Sequence, residues 1–237
     1  MKVIFNADDF GLSRAVNYGI VDAHINGVVN STTALVKGYA IDHAVELSKK
    51  LPTLKIGIHF ALTFNKSLLG GSSITDKDGA FYKYDVLERN KDIISYDEVL
   101  SEFRAQLAEF VRLFGFYPDH IDSHHHVHLL PIVSKAVQEI AKELSVPVRC
   151  LNGPEVYLDL YSPHITVESI IDVLSASSEA ELEIMVHPGY VDNTLVESSS
   201  YLLERTVELE TLTSPKLINY LNDNGIEVIS FSDLGQL

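Results

Sequence analysis

The run Asp122-Ser123-His124-His125-His126-Val127-His128 places four of the chain's ten histidines within five positions behind a carboxylate. Imidazole and carboxylate are the side chains that bind borderline divalent ions. Two other stretches could complete a coordination sphere: Asp8-Asp9 near the start and His59 about a quarter of the way along. An Asp with two or three histidines from separate strands can hold one ion and leave positions open for water and substrate. An adjacent carboxylate outside the coordination sphere can accept the proton of the attacking water. His187, in His187-Pro188-Gly189-Tyr190, is placed to protonate a departing amine or alcohol. The chemistry that fits is hydrolysis of an amide or ester. Each group alone has a plainer reading: an Asp pair as a turn or cap, His59 as a satisfied core histidine, the histidine run as a solvated loop.

The elements that must position these groups alternate between strand and helix. Val3–Ala7 is a short apolar run ended by Asp8-Asp9-Phe10-Gly11, which predicts a buried strand with the acids at its carboxyl end. Ser13 can cap the following helix and Gly27 can end it. Further strands are predicted at Val28–Lys37, Lys55–Leu62, Asp119–Ser123, Pro147–Leu151, Glu183–His187 and Ile226–Phe231. Helices lie between them, the strongest running from a Ser95-Tyr96-Asp97-Glu98 capping box to Gly115. Asn65–Asn90 lacks a clear period and reads as part of an insertion at 65–95. Parallel α/β architecture follows. Asp8, Asp9, His59, His124 and His187 fall at the carboxyl ends of different strands, which favours a distorted, TIM-like (β/α) barrel of about seven parallel strands over an open doubly wound sheet. If the first strand continues through Asp8 and Asp9, their side chains point to opposite faces unless a bend or bulge intervenes. Strand parity would put Asp122, His124 and His126 on one face and make His124 a better ligand than His125.

At 237 residues the chain suits one domain, 1–237. Thirty-three acidic against 18 basic residues give a formal charge of −15, which argues against nucleic acid and anionic membrane surfaces as partners. Cys150 is the only cysteine, so no intrachain disulfide forms. The acids at 8 and 9 interrupt any leader-like apolar run, so a cytoplasmic protein is expected.

The blocks Asn6-Ala7-Asp8-Asp9-Phe10-Gly11-Leu12-Ser13, Ser31-Thr32-Thr33-Ala34-Leu35-Val36, Ile41-Asp42-His43-Ala44-Val45, Gly57-Ile58-His59-Phe60, His120–His128 and His187-Pro188 followed by Asp192-Asn193-Thr194 resemble the YdjC-like carbohydrate deacetylases, especially the chitooligosaccharide deacetylases. The resemblance implies a metal-dependent hydrolase that removes the N-acetyl group from an N-acetylglucosamine-containing oligosaccharide. It places metal on Asp9, His59 and His124, the base on Asp8 and the protonating role on His187. It leaves His126 and Arg149 as supporting or substrate-binding groups. It implies magnesium, although one Asp and two His suit zinc at least as well, and a homodimer. The loops at 65–95 and 152–165 should shape the sugar site, with Tyr82, Tyr84 and Tyr157 as aromatics that could stack on a pyranose. Two other readings stay open: a metal-dependent hydrolase of another small amide or ester, and a non-catalytic sugar-binding barrel.

Overall fold

The computed structural model describes residues 1–161 and 164–234. Strands and helices alternate in chain order: β1 (Lys2–Phe10), α1 (Arg14–Ile25), β2 (Ser31–Ala34), α2 (Ile41–Ser48), β3 (Lys55–Phe60), α3 (Tyr84–Arg89), α4 (Tyr96–Phe114), β4 (Ile121–Ser123), α5 (Pro131–Leu144), β5 (Glu155–Tyr157), α6 (Val167–Ala176), β6 (Glu181–Val186), α7 (Asn193–Ser198), α8 (Leu203–Leu212), α9 (Pro215–Asp223) and β7 (Glu227–Val228). The seven strands form one parallel sheet in the order β4-β3-β2-β1-β6-β5. β7 pairs with β1 at Lys2 and Val3, below the point where β2 takes up pairing at Asn6. The expected distorted (β/α) barrel is present as a curled sheet.

Its closure differs from the expected fifth strand at Pro147–Leu151. That stretch makes only a single parallel bridge, Val148 to Ile121 of β4. The chain then turns and resumes as β5, which pairs with β6 at the opposite edge. Arg149 lies just after the bridge and is completely buried, and Cys150 has φ 60°, so the extended run is interrupted where a buried side chain must be aimed inward.

The helices seat on the sheet as their periodicity demands. Val99, Phe103 and Phe110 of α4, and Val133, Val137 and Ile140 of α5, are buried, and Phe103 stacks on Phe60 at 4.3 Å. Burying such side chains stabilises the fold by about 1.5–3 kcal/mol each. Gln106 on α4 bonds both backbone groups of Ala61, fixing the chain just past His59-Phe60. The capping box at Ser95 is half made: Ser95 accepts from the Glu98 amide, but the Glu98 carboxylate turns to Ser73 in the insertion. Fully buried Glu102 likewise accepts from the amides of Leu68 and Leu69. The 65–95 segment is therefore folded onto α4, with Ile74, Phe81 and Leu87 in the core. No described helix is long and apolar enough to cross a membrane.

Candidate active site

The site assembles at the carboxyl ends of β1, β3, β4 and β6. On β1 the register against β2 runs Ala7 to Thr32 and then Phe10 to Ala34, so one extra residue sits on β1. This is the bulge that two adjacent carboxylates require in order to reach one cavity. Asp9 itself takes the left-handed conformation, φ 72°, followed by Gly11 at φ 102°; aspartate tolerates that region better than most side chains. The turn is anchored by Asn17 of α1, whose Oδ1 accepts from the Gly11 amide at 2.6 Å.

Asp9, His59 and His124 converge. Asp9 Oδ1 lies 3.5 Å from His59 Nε2 and 3.2 Å from His124 Nδ1. Ligand bonds of about 2.1 Å at tetrahedral to octahedral angles separate donors by roughly 3.0–3.4 Å, so the three residues fit one divalent ion. His59 is prepared for that role. Its Nδ1 lies 2.6 Å from Asp122 Oδ1, and an ionised carboxylate only accepts, so Nδ1 carries a hydrogen and Nε2 is the nitrogen turned toward Asp9 for an ion to take once its proton leaves. Thr33 donates to the other oxygen of Asp122 at 2.9 Å. Burial opposes charge on His59, but the Asp122 carboxylate outweighs it, assisted by Asp8 and Asp9, and the imidazole is raised to about 9. For Asp9, burial is likewise overcome, chiefly by Arg205 and then His124, and its carboxyl is held well below the usual range.

Strand parity does not govern the histidine run. β4 ends at Ser123, and His124–Leu129 is a tight helical turn in which His125 and His126 have φ 54° and 53°. His124 faces Asp9, His125 is exposed with Nδ1 3.0 Å from Thr63, and His126 leaves a buried Nδ1 without a hydrogen-bond partner among the described residues. His128, with no role expected, is fully buried. It bridges the Ser123 hydroxyl and the Arg149 carbonyl, at 2.6 and 3.1 Å, and so ties the turn to the segment carrying Arg149.

Arg149 was expected among supporting or substrate-binding groups; its side chain has no exposed surface, which leaves it nothing to offer a substrate directly. Its guanidinium binds both oxygens of Asp8 at 2.7 Å, Asp122 at 2.9 Å and Glu183 at 2.6 Å. Asn6 adds a bond to Asp8 Oδ1. A buried guanidinium needs this much compensation. Asp8, His59 and Asp122 also approach one another within 4.8 Å, but Arg149 already occupies both carboxylates, so this trio is an ion-pair network rather than a second metal site.

His187 follows β6 and packs in a triangle of rings with Tyr161 and Tyr201, centroids 5.8 and 5.7 Å away. Its backbone amide donates to Glu208, whose other oxygen accepts from Tyr201 at 2.6 Å. Burial pushes His187 down to about 4 and Glu208 up to about 7. Arg205 and Glu208, three positions apart on α8, escaped the sequence reading. Arg205 donates to Asp9 Oδ2 at 2.7 Å. The one signal for them was a pair of charged residues on a helix that must bury a face. Asp192 caps α7 and also accepts from the Ala15 amide, fastening the loop after β6 to α1.

Aromatic rings flank the ligands on two sides. Phe64 packs edge-on against His124, and half-exposed Tyr39 packs edge-on against Phe64, at 5.6 and 5.3 Å. Tyr161 and Tyr201 stand on the β6 side. Tyr82, Tyr84 and Tyr157 are instead partly buried against the core. Residues 162 and 163 of the 152–165 loop lie outside the described residues.

A curled parallel sheet with an Asp-His-His cluster at its strand ends defines a metal-capable α/β enzyme architecture. The chain belongs to the YdjC-like protein family, whose model matches residues 2–223. It is 38% identical to a carbohydrate deacetylase of Clostridium beijerinckii, covering 99% of this chain and all of the relative. It is 41% identical to a chitooligosaccharide deacetylase of Salmonella paratyphi B, covering 98% of each. A solved structure from Enterococcus faecalis V583, described as that of a candidate cellobiose-phosphate cleavage protein, superposes with TM-score 0.91 at 32% identity over 99% of this chain and 98% of that one. A peptidoglycan N-acetylglucosamine deacetylase, 14% identical with TM-score 0.55, covers 99% of this chain and 88% of its own, and shares the fold.

Proposed function

We propose that the chain is a metal-dependent hydrolase that removes the N-acetyl group from short N-acetylglucosamine-containing oligosaccharides such as diacetylchitobiose, releasing acetate. The observation that carries this reading is the buried Asp9–His59–His124 cluster, with the His59 ring oriented by Asp122, beside a second carboxylate, Asp8. The names of the relatives supply the substrate class.

Asp9, His59 and His124 would hold the ion, which supplies Lewis acidity for a water and for an acyl carbonyl. The remaining work falls to the chain. Asp8, oriented by Arg149 and Asn6, accepts the proton of the attacking water. His187 is neutral at rest, so the proton it delivers to the departing amine is the one Asp8 takes from the water and passes on. Glu208, fixed by Tyr201, holds the His187 backbone. Tyr39 on Phe64, and Tyr161 on the opposite side, offer walls for a pyranose. One carboxylate oxygen and two imidazoles suit zinc or cobalt better than magnesium, which prefers oxygen donors; magnesium is the alternative that the family resemblance implies. A homodimer and a cytoplasmic location belong to the same proposal, the former checked by light scattering.

Incubating metal-stripped protein with diacetylchitobiose and zinc, cobalt or magnesium, then assaying acetate, tests the reading. Acetate release that requires an added ion supports it. Sugar binding with no release under any ion would favour the sugar-binding barrel. Release from acyl amino acids rather than sugars would favour a hydrolase of other amides.

A further inference from the structure

Asp9 has two oxygens with different partners. Oδ1 faces His59 and His124, whereas Oδ2 is taken by Arg205 Nη2 at 2.7 Å. The pair is buried, with Arg205 3% and Asp9 2% exposed. Arg205 is held from its other end as well: its Nε donates to the Tyr201 carbonyl at 3.1 Å, and its backbone carbonyl accepts from the Gly189 amide. Gly189 supplies clearance, since a Cβ there would lie 3.2 Å from Arg205 Cδ. The guanidinium is thereby fixed behind the carboxylate, on the side away from the two histidines.

Two consequences follow for an ion at this site. Asp9 can offer only one oxygen, because a bidentate mode would need Oδ2 as well. Its charge is also offset by an adjacent permanent cation, while the other two donors are neutral imidazoles. Magnesium draws its binding energy from anionic and water oxygens, whereas zinc and cobalt gain from nitrogen donors. We propose that Arg205 is a positioning residue that restricts Asp9 to one donor oxygen and offsets its charge, so that the site selects zinc-class ions over magnesium. This rests on the metal reading of Asp9, His59 and His124 given above.

The test is metal binding to the purified, metal-stripped chain, measured by competition with a chromophoric chelator for zinc and by calorimetry for magnesium. Arg205→Gln keeps a donor to Asp9 but removes the charge, and Arg205→Lys keeps the charge. The ratio of zinc to magnesium affinity is expected to narrow at least tenfold in Arg205→Gln and to stay within about threefold of the native chain in Arg205→Lys. The visible spectrum of the cobalt-loaded chain should weaken in Arg205→Met, which leaves Oδ2 without its donor and lets the coordination number rise. An unchanged ratio in a folded Arg205→Gln chain overturns the proposal. Should that variant fail to fold, Gly189→Ala decides: crowding Arg205 should narrow the ratio, and a native ratio refutes the proposal. If the native chain binds no divalent ion, the metal reading itself fails; binding with an unchanged ratio defeats only the role given to Arg205.

Discussion

Binding a divalent ion at Asp9, His59 and His124 should expel a proton from His59 at neutral pH. Burial alone would keep this imidazole neutral, but Asp122 at 2.6 Å, with Asp8 and Asp9, raises it to about 9. In the metal-free chain His59 is therefore protonated at pH 7, and only about one molecule in a hundred presents a free Nε2. The sign follows directly. A group whose proton must leave before the ion binds makes affinity rise with pH until the group's own pKa is passed. From pH 7 to the plateau above pH 9 the apparent affinity should climb by about 100-fold, near 2.7 kcal/mol, about half of that factor by pH 9 itself. Asp9, held ionised by Arg205, adds no proton over this range. The assay is calorimetric titration in buffers of different ionisation enthalpy, which counts released protons, with chelator competition for the affinity at each pH. Replacing Asp122 with Asn removes the main group that raises His59, so its pH dependence above pH 7 should largely vanish. Affinity at the plateau should fall by about 10–100-fold because the imidazole is no longer oriented by a carboxylate. No proton release at pH 7 and a flat affinity from pH 7 to 9 in the native chain would refute the assignment of His59.

Asp8→Asn should bind the ion with nearly native affinity while kcat falls by about 10²–10⁴-fold, the usual scale for losing a general base; metal analysis beside acetate assay checks both halves. Arg149→Met leaves Asp8, Asp122 and Glu183 buried around an uncharged side chain. Denaturant unfolding should show a loss of about 3–5 kcal/mol, and a near-native stability would contradict the compensated network. Tyr39→Ala should raise KM for diacetylchitobiose about 5–10-fold with kcat little changed, since Tyr39 meets His124 only through Phe64. Tyr39→Phe should restore the native KM.

The residues legible from sequence were those whose place follows from strand ends. Asp9, His59 and His124 converge because each closes or directly follows a strand of one parallel sheet, and a short apolar run ending in a polar residue is readable one strand at a time. The Asp8-Asp9 pair even carried its own requirement for a bulge, met by the register slip before Phe10 and the left-handed Asp9. What stayed hidden depends on pairing across the sheet. Arg149 is a buried counter-ion to three carboxylates from β1, β4 and β6, and nothing in the string ties it to Asp8, Asp122 and Glu183. Arg205 and Glu208 ride on α8, far in sequence from the residues they hold. The histidine turn broke strand parity because His125 and His126 both adopt positive φ, a backbone choice that tertiary contacts impose. The split of the expected fifth strand has the same origin, since closing the curled sheet takes the chain from the β4 edge to the β6 edge around Arg149.

The most direct measurement is acetate release from diacetylchitobiose by metal-stripped protein titrated with zinc, run beside Asp9→Ala and His124→Ala. The structure predicts activity that rises to a plateau at one ion per chain, is abolished by chelator and is lost with the ion in both variants. Acetate release indifferent to chelator, or native zinc occupancy in both variants, would contradict the assignment of Asp9, His59 and His124 as the metal centre.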